Sequence, residues 1–174
     1  AAWRSLVENN PLPAIMGRVC YHPCEGGCNR QHVDAAVGIN SVERFLGDEA
    51  NKQGWKFAPP AAATGKRVLV VGSGPAGLSA AYHLTRMGHQ AVIYEAAPLA
   101  GGMMRFGIPK YRLPREVLDA EINRLVEFGV EIQLQTKVSD VQQALKDGFD
   151  AVFLGVGAHI ARRRLYGLSG ALRT

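Results

Sequence analysis

From about residue 67 onward, short apolar runs alternate with longer amphipathic stretches. Residues 68–71 are four apolar, mostly β-branched positions in a row, which suits a strand buried on both faces of a parallel sheet. The Ala-rich stretch 78–87 predicts a helix with Gly88 as its C-terminal stop, and QAVIYE, ending at Glu95, predicts a second strand. Pro114 starts a further helix at its favoured first position, with Leu118, Ile122 and Leu125 at i, i+4 and i+7, until Gly129 closes it. Residues 130–134 read as a strand, 141–146 as a short helix and 151–155 as a last strand. The order β-α-β-loop-α-β-α-β predicts an α/β fold with a doubly wound parallel sheet.

The pattern before residue 67 is different. Residues 1–10 read as the end of a helix, with Trp3, Leu6 and Val7 on one side and Asn10-Pro11 as its stop. Residues 11–34 carry Pro11, Pro13, Gly17, Pro23, Gly26 and Gly27, too much punctuation for a regular element. Residues 40–52 predict a short helix with Asn40 as N-cap, Glu43 as its capping-box carboxylate, and Val42, Phe45, Leu46 and Ala50 as a buried stripe. The stretch 54–65, with two prolines, four alanines and no periodicity, reads as a linker whose boundary falls near Pro60. The expected domains are therefore 1–60 and 61–174.

Composition changes this picture little. The chain has 174 residues, of which 47% are hydrophobic, enough for one core with a small appendage. Its formal charge of +5 resides mainly in Arg162, Arg163, Arg164 and Arg173, so no folded basic face and no nucleic-acid partner are expected. No apolar run reaches the ~18 residues of a membrane span, and the first ten residues lack the core of a signal peptide. A cytoplasmic protein is the expectation.

Candidate chemistry lies in two places. Gly72-x-Gly74-x-x-Gly77 follows the first strand and opens the first helix of the sheet region. In such a loop the first glycine permits a tight turn, the second lets backbone approach a pyrophosphate, and the third lets helix and strand pack closely. The helix N-terminal N–H groups then face the phosphates. Glu95, 18 residues after Gly77, stands where a carboxylate can accept from a ribose diol. A second pair, Gly101-Gly102, followed by Met103 and Met104, brings backbone toward the same ligand again. The other place is Cys20-x3-Cys24-x3-Cys28, where Pro23 and Gly26-Gly27 argue for a wrapped loop over a helix face. Three cysteines within nine residues do not resemble a disulfide framework. They suit an iron–sulfur ligand set, a zinc site with His22 or His32, or inert buried thiols.

Taken in order, GRVCYHPCEGGCNR, VGINSVERFLGDEA, KRVLVVGSGPAGLSAAYHL, GGMMRFGIPKYRLPREVLDAEI and GFDAVFLGVGA resemble the small subunit of glutamate synthase and its relatives. These include the N-terminal half of dihydropyrimidine dehydrogenase. The resemblance covers about residues 9–158. It implies a Rossmann-type FAD-binding lobe preceded by part of a small α-helical iron–sulfur domain. It also implies a flavin and iron–sulfur oxidoreductase that passes electrons from NAD(P)H through FAD and [4Fe–4S] clusters to a partner subunit or domain. Carried over, Gly72, Ser73, Gly74, Pro75, Ala76 and Gly77 form the first phosphate loop, and Glu95 is the adenosine-ribose acid. Gly102 and Met103 make a second approach, Arg112 contacts FAD, Val138 lies beside the adenine, and Gly157, near the end of the last strand, joins the cofactor site. Cys20, Cys24 and Cys28 become cluster ligands, with Glu43 where a related member places an oxygen ligand. In that relative the ligands interleave between two clusters, Cys20, Cys24 and Glu43 corresponding to one and Cys28 to the other. The family has further cysteines upstream and a second nucleotide fingerprint downstream, so the sequence reads as a fragment holding the FAD half. A reading of another class is a non-catalytic nucleotide-binding module with a zinc-stapled cysteine loop.

Overall fold

The computed structural model describes residues 1–157. They form two compact units, residues 1–58 with 108–124, and residues 59–107 with 125 onward. The predicted basic residues Arg162, Arg163, Arg164 and Arg173 lie outside the described residues.

The first unit is helical. Ala2–Val7 (α1) buries Trp3 and Val7, and the Trp3 ring stacks on Phe57 with centroids 5.6 Å apart and tilts against Trp55 at 5.8 Å. Pro13–Val19 (α2) is a regular helix inside the stretch expected to be irregular. Its proline sits in the first turn, where a missing N–H costs nothing. Gly17 serves packing: a Cβ there would lie 2.5 Å from the Arg44 Cα. After Cys20 the chain is irregular as expected, with one turn at Pro23–Gly26 (α3) and a 3-10 turn at Asn29–His32.

Ile39–Gln53 (α4) packs on α2. Its N-cap is Gly38 rather than Asn40, and the Asn40 N–H donates to the Glu25 carboxylate at 2.8 Å. Glu43 is not a capping-box carboxylate, because Glu25 takes that place and Glu43 accepts from the Asn10 side chain. The expected apolar stripe is only partly buried, Ala50 fully and Leu46 by half. Val42 and Phe45 are exposed, 54% and 64%, while Gly47 and Ala50 are buried. A Cβ on Gly47 would meet the Ala14 nitrogen at 2.2 Å, so small residues set this contact and the larger apolar ones face outward. Residues to Arg124 of Arg115–Phe128 (α7) complete the unit.

The second unit is a four-stranded, all-parallel sheet. Arg67–Val71 (β1), Gln90–Tyr94 (β2), Glu131–Gln133 (β3) and Ala151–Leu154 (β4) stand in the order β3-β2-β1-β4. Val68 pairs with Ala91 and with Ala151, and Ile93 with Ile132. This is the order of the first half of a dinucleotide-binding sheet, reversing at β1, where ligands bind beyond the strands' carboxyl ends. Pro75–Arg86 (α5) packs on β1 and β2, and buries Leu78, Ala81 and Tyr82. Leu69, Val71 and Val92 form a cluster with Ala144 and Phe149, the former in Val141–Lys146 (α8). Met103–Phe106 (α6) is a single turn inside the expected loop.

Candidate functional site

The loop leaving β1 carries the glycine spacing, and Gly72 and Gly77 each have a distinct steric reason. Gly72 has φ 97°, a left-handed conformation, and a Cβ there would stand 2.6 Å from the Gly155 carbonyl oxygen. Gly77 lies so close to the turn that its Cβ would be 1.9 Å from the Gly72 oxygen. Gly74 is different: a Cβ would meet nothing within 4 Å. Space beside that backbone at the start of α5 is what a pyrophosphate requires. Pro75 and Ala76 are exposed on the first turn of α5.

Around this loop the structure gathers Ser73, Glu95 and the second glycine pair. Ser73 donates from its backbone N–H at 2.8 Å and from its hydroxyl at 2.6 Å, both to Glu95 Oε2. Glu95 Oε1 accepts the Ala97 N–H at 2.8 Å. Burial pushes the Glu95 acid up, but these donors outweigh it and hold the carboxyl below its usual range. The Gly101 N–H reaches both the Ser73 carbonyl, at 3.1 Å, and the Ser73 hydroxyl, at 3.2 Å. Gly102, with φ 50°, would bring a Cβ within 2.8 Å of the Gly74 Cα, so the second glycine turn rests on the first. Met103 is 67% exposed beside it.

The remaining expected cofactor residues are dispersed. Val138 lines a cleft of ≈ 210 Å³ with Leu69, Tyr94, Ala144 and Phe149, and none of the first loop's glycines lines it. Gly157 has φ 75° and open space beside it. Arg112 belongs to the helical unit: its guanidinium donates to the Arg18 and Val19 carbonyls at 3.3 and 3.2 Å and lies over the Tyr21 ring. It therefore satisfies carbonyls left open at the end of α2, immediately before Cys20.

The cysteines lie on the loop between α2 and α4. Cys20 and Cys24 are exposed and Cys28 partly so, all three as free thiols. The His22 N–H points at the Cys20 sulfur at 3.3 Å. Backbone N–H groups of Val37, Arg30 and Gln31 lower the Cys28 thiol below its ordinary value, against desolvation and Glu25. N–H groups aimed at sulfur are what a metal-bound thiolate needs. Among the described residues, however, no three His, Cys, Asp or Glu side chains converge to hold a metal ion. Glu43 stands apart with Asn10, and burial raises its acid above the usual value. The cysteine loop thus fits a partial ligand set, not a complete metal centre.

Glu121 escapes sequence reasoning. It is wholly buried, and its two oxygens accept the Ala14 and Ile15 N–H groups at 3.0 and 2.9 Å, capping α2 from 107 residues away. Arg124 stands 3.6 Å from it. An acid next to Ile122 in the stripe of Leu118, Ile122 and Leu125 is the signal that could have exposed it.

Comparison with known proteins finds two family models in succession along the chain. Residues 1–55 match the family model of dihydropyrimidine dehydrogenase domain II, 4Fe-4S cluster, and residues 70–130 match that of the NAD(P)-binding Rossmann-like domain. The chain is 40% identical over 180 aligned positions to the NADP(+)-dependent formate dehydrogenase subunit beta of Moorella thermoacetica, covering 90% of this chain and 26% of that protein. It is 40% identical to the glutamate synthase [NADPH] small chain of Escherichia coli, covering 90% of this chain and 34% of that one. With the NADPH-Fe(3+) oxidoreductase subunit beta of Geobacter sulfurreducens it shares 42% identity, over 94% of this chain and 25% of that protein. The chain thus spans about a quarter to a third of the length of these relatives, all of them oxidoreductase subunits.

Proposed function

We propose that this chain, an iron–sulfur segment followed by a Rossmann-like domain, is the FAD-binding lobe and part of the cluster domain of an electron-transfer oxidoreductase. Its electrons come from NAD(P)H, and its acceptor is a partner subunit or domain. The observation that carries the reading is the joint between the two glycine turns: Gly102 against Gly74, with Glu95 fixed beside them through Ser73.

In this reading the loop 72–77 wraps the pyrophosphate, with the Ala76 and Gly77 N–H groups in the first turn of α5 as donors, and Glu95 binds the adenosine ribose. Gly102 and Met103 approach the same ligand from the second turn, and Val138, Arg112 and Gly157 are further contacts. Cys20, Cys24 and Cys28, with Glu43 as an oxygen ligand, are contributions to [4Fe–4S] clusters that draw further cysteines from outside these residues. The flavin, when bound, exchanges two-electron for one-electron transfer; the chain's own residues bind, orient and shield it. Three relatives are named as a beta subunit or small chain, which supports a protein partner. Among the described residues no helix is long and apolar enough to cross a membrane, and we place the protein in the cytoplasm.

The deciding measurement is an anaerobic visible spectrum of the purified chain after incubation with FAD, with metal analysis on the same sample. One FAD retained per chain through gel filtration is expected. A colourless protein with stoichiometric zinc would overturn the reading in favour of a zinc-stapled nucleotide module.

A further inference from the structure

Glu25 stands between Cys24 and Cys28 on the loop of three thiols, and its carboxylate reaches in two directions. Oε1 accepts the Asn40 N–H at 2.8 Å, in the first turn of α4. Oε2 lies 3.2 Å from Nδ1 of His22. The side chain is only 22% exposed, so these partners replace most of the water it gives up.

Both contacts answer a local need. The N-cap of α4, Gly38, offers no side-chain oxygen, and the first turn of α4 carries no acid of its own. Glu25 supplies the missing acceptor and negative charge from 15 residues away. His22 is left-handed, φ 43°, a conformation that residues with a side chain rarely adopt, and it makes the reversal between Cys20 and Cys24. Glu25 holds that turn twice, its N–H donating to the His22 carbonyl at 3.0 Å and its carboxylate meeting the imidazole. A further tie comes from Cys28, whose sulfur accepts the Val37 N–H just ahead of α4. A loop fastened at these points is not free to fold in on itself, and among the described residues no three metal-ligating side chains converge.

We propose that Glu25 is a positioning residue that keeps the cysteine loop open. It ties the loop to the turn of α4 that precedes Glu43 and sets the His22 reversal, so that the three thiols stay divided instead of closing around one ion. This rests on the iron–sulfur reading above and deepens it, since thiols that serve two clusters must be held apart.

Cobalt(II) is the probe, titrated anaerobically into the reduced, metal-free whole chain and its variants. The readout is thiolate-to-cobalt absorption, which grows with each sulfur bound. The unsubstituted chain is expected to engage fewer than three thiolates. Glu25→Ala should engage all three and bind cobalt about tenfold more tightly. Amide exchange at Asn40, followed without cobalt, should quicken about tenfold in that variant. Glu25→Asp keeps the charge but is one methylene shorter and cannot span both partners. It should follow the alanine variant, and it carries the test if that variant does not fold. Glu25→Gln keeps an oxygen for Asn40 and can donate to the imidazole, so it should follow the parent. An unchanged cobalt spectrum in Glu25→Ala and Glu25→Asp, with faster exchange at Asn40, would reduce Glu25 to a helix cap and overturn the proposal while the cluster reading stands. A parent-like Glu25→Asp would overturn it too, because charge alone would then suffice. If the unsubstituted chain already gathers all three thiolates on one ion, the iron–sulfur reading falls and the proposal with it.

Discussion

A carboxylate taken out of water must find donors, and Glu121 and Glu95 find different ones. For Glu121, burial pushes the acid up to about 7, against the Ala14 and Ile15 N–H groups and the charges of Arg124 and Arg18. The folded chain therefore holds more protons than the unfolded one between 4.5, the ordinary value, and about 7. The contribution to stability is complete below that window, falls as pH rises through it, and is gone above it. Its ceiling is about 3 kcal/mol, from 1.36 kcal/mol per unit. Both tryptophans, Trp3 and Trp55, belong to the helical unit, so tryptophan fluorescence in urea follows that unit alone. Midpoints should drop from pH 5 to 7 in the parent. The drop should be absent in Glu121→Gln, which is less stable at low pH because its amide NH2 faces a helix N–H. Glu95 is predicted to act on ligand instead: Glu95→Ala should weaken FAD binding by about 1–3 kcal/mol, the scale of charged hydrogen bonds to a hydroxyl. Retention of flavin through dialysis at the parent's level would remove Glu95 from the site. Glu95 was legible because it ends an apolar strand at a fixed distance from three glycines. Glu121 was not, because its partners lie 107 residues away on a helix that proline and glycine disguised.

At the scale of elements, glycine marks the points where backbones meet. Gly47→Ala would force a methyl to within 2.2 Å of the Ala14 nitrogen, which no side-chain rotation relieves. A loss of about 1–3 kcal/mol is expected, seen as a lower urea midpoint by tryptophan fluorescence. Gly77→Ala should act on the other unit, since the Gly72 carbonyl stands 1.9 Å from the added atom; it is expected to abolish FAD retention on gel filtration while leaving the tryptophan transition unchanged. The sheet elements could be read directly, because β-branched runs and glycine stops report local geometry: α8 is found at the expected residues and β1 and α5 nearly so. Helix α2 was hidden because Pro13 and Gly17 break helices in isolation but here serve a first turn and a helix contact. The stripe of α4 was misplaced in part for a related reason. Periodicity identifies the larger apolar residues, whereas α2 and α4 meet through their smallest ones, leaving Val42 and Phe45 exposed.

The whole molecule is not laid out along the chain as its motifs are. The linker reading near Pro60 separates two consecutive stretches, but the helical unit takes back residues 108–124, which carry Arg112 beside Cys20 and Glu121 beneath α2. With the three thiols not brought together, anaerobic reconstitution of this chain should give less than one stable cluster. About four irons and four sulfides per chain after gel filtration would show instead that the local residues complete one. The interrupted layout also sets an order of events in the cell. Residues emerge from the ribosome at roughly 5–20 per second, so the amides of Ala14 and Ile15 wait about 5–20 s before the carboxylate that caps them is even synthesised. For that interval the nascent cysteine loop hangs from a helix whose first turn is unsealed, while the next 49 residues, 59–107, are already free to begin their own sheet.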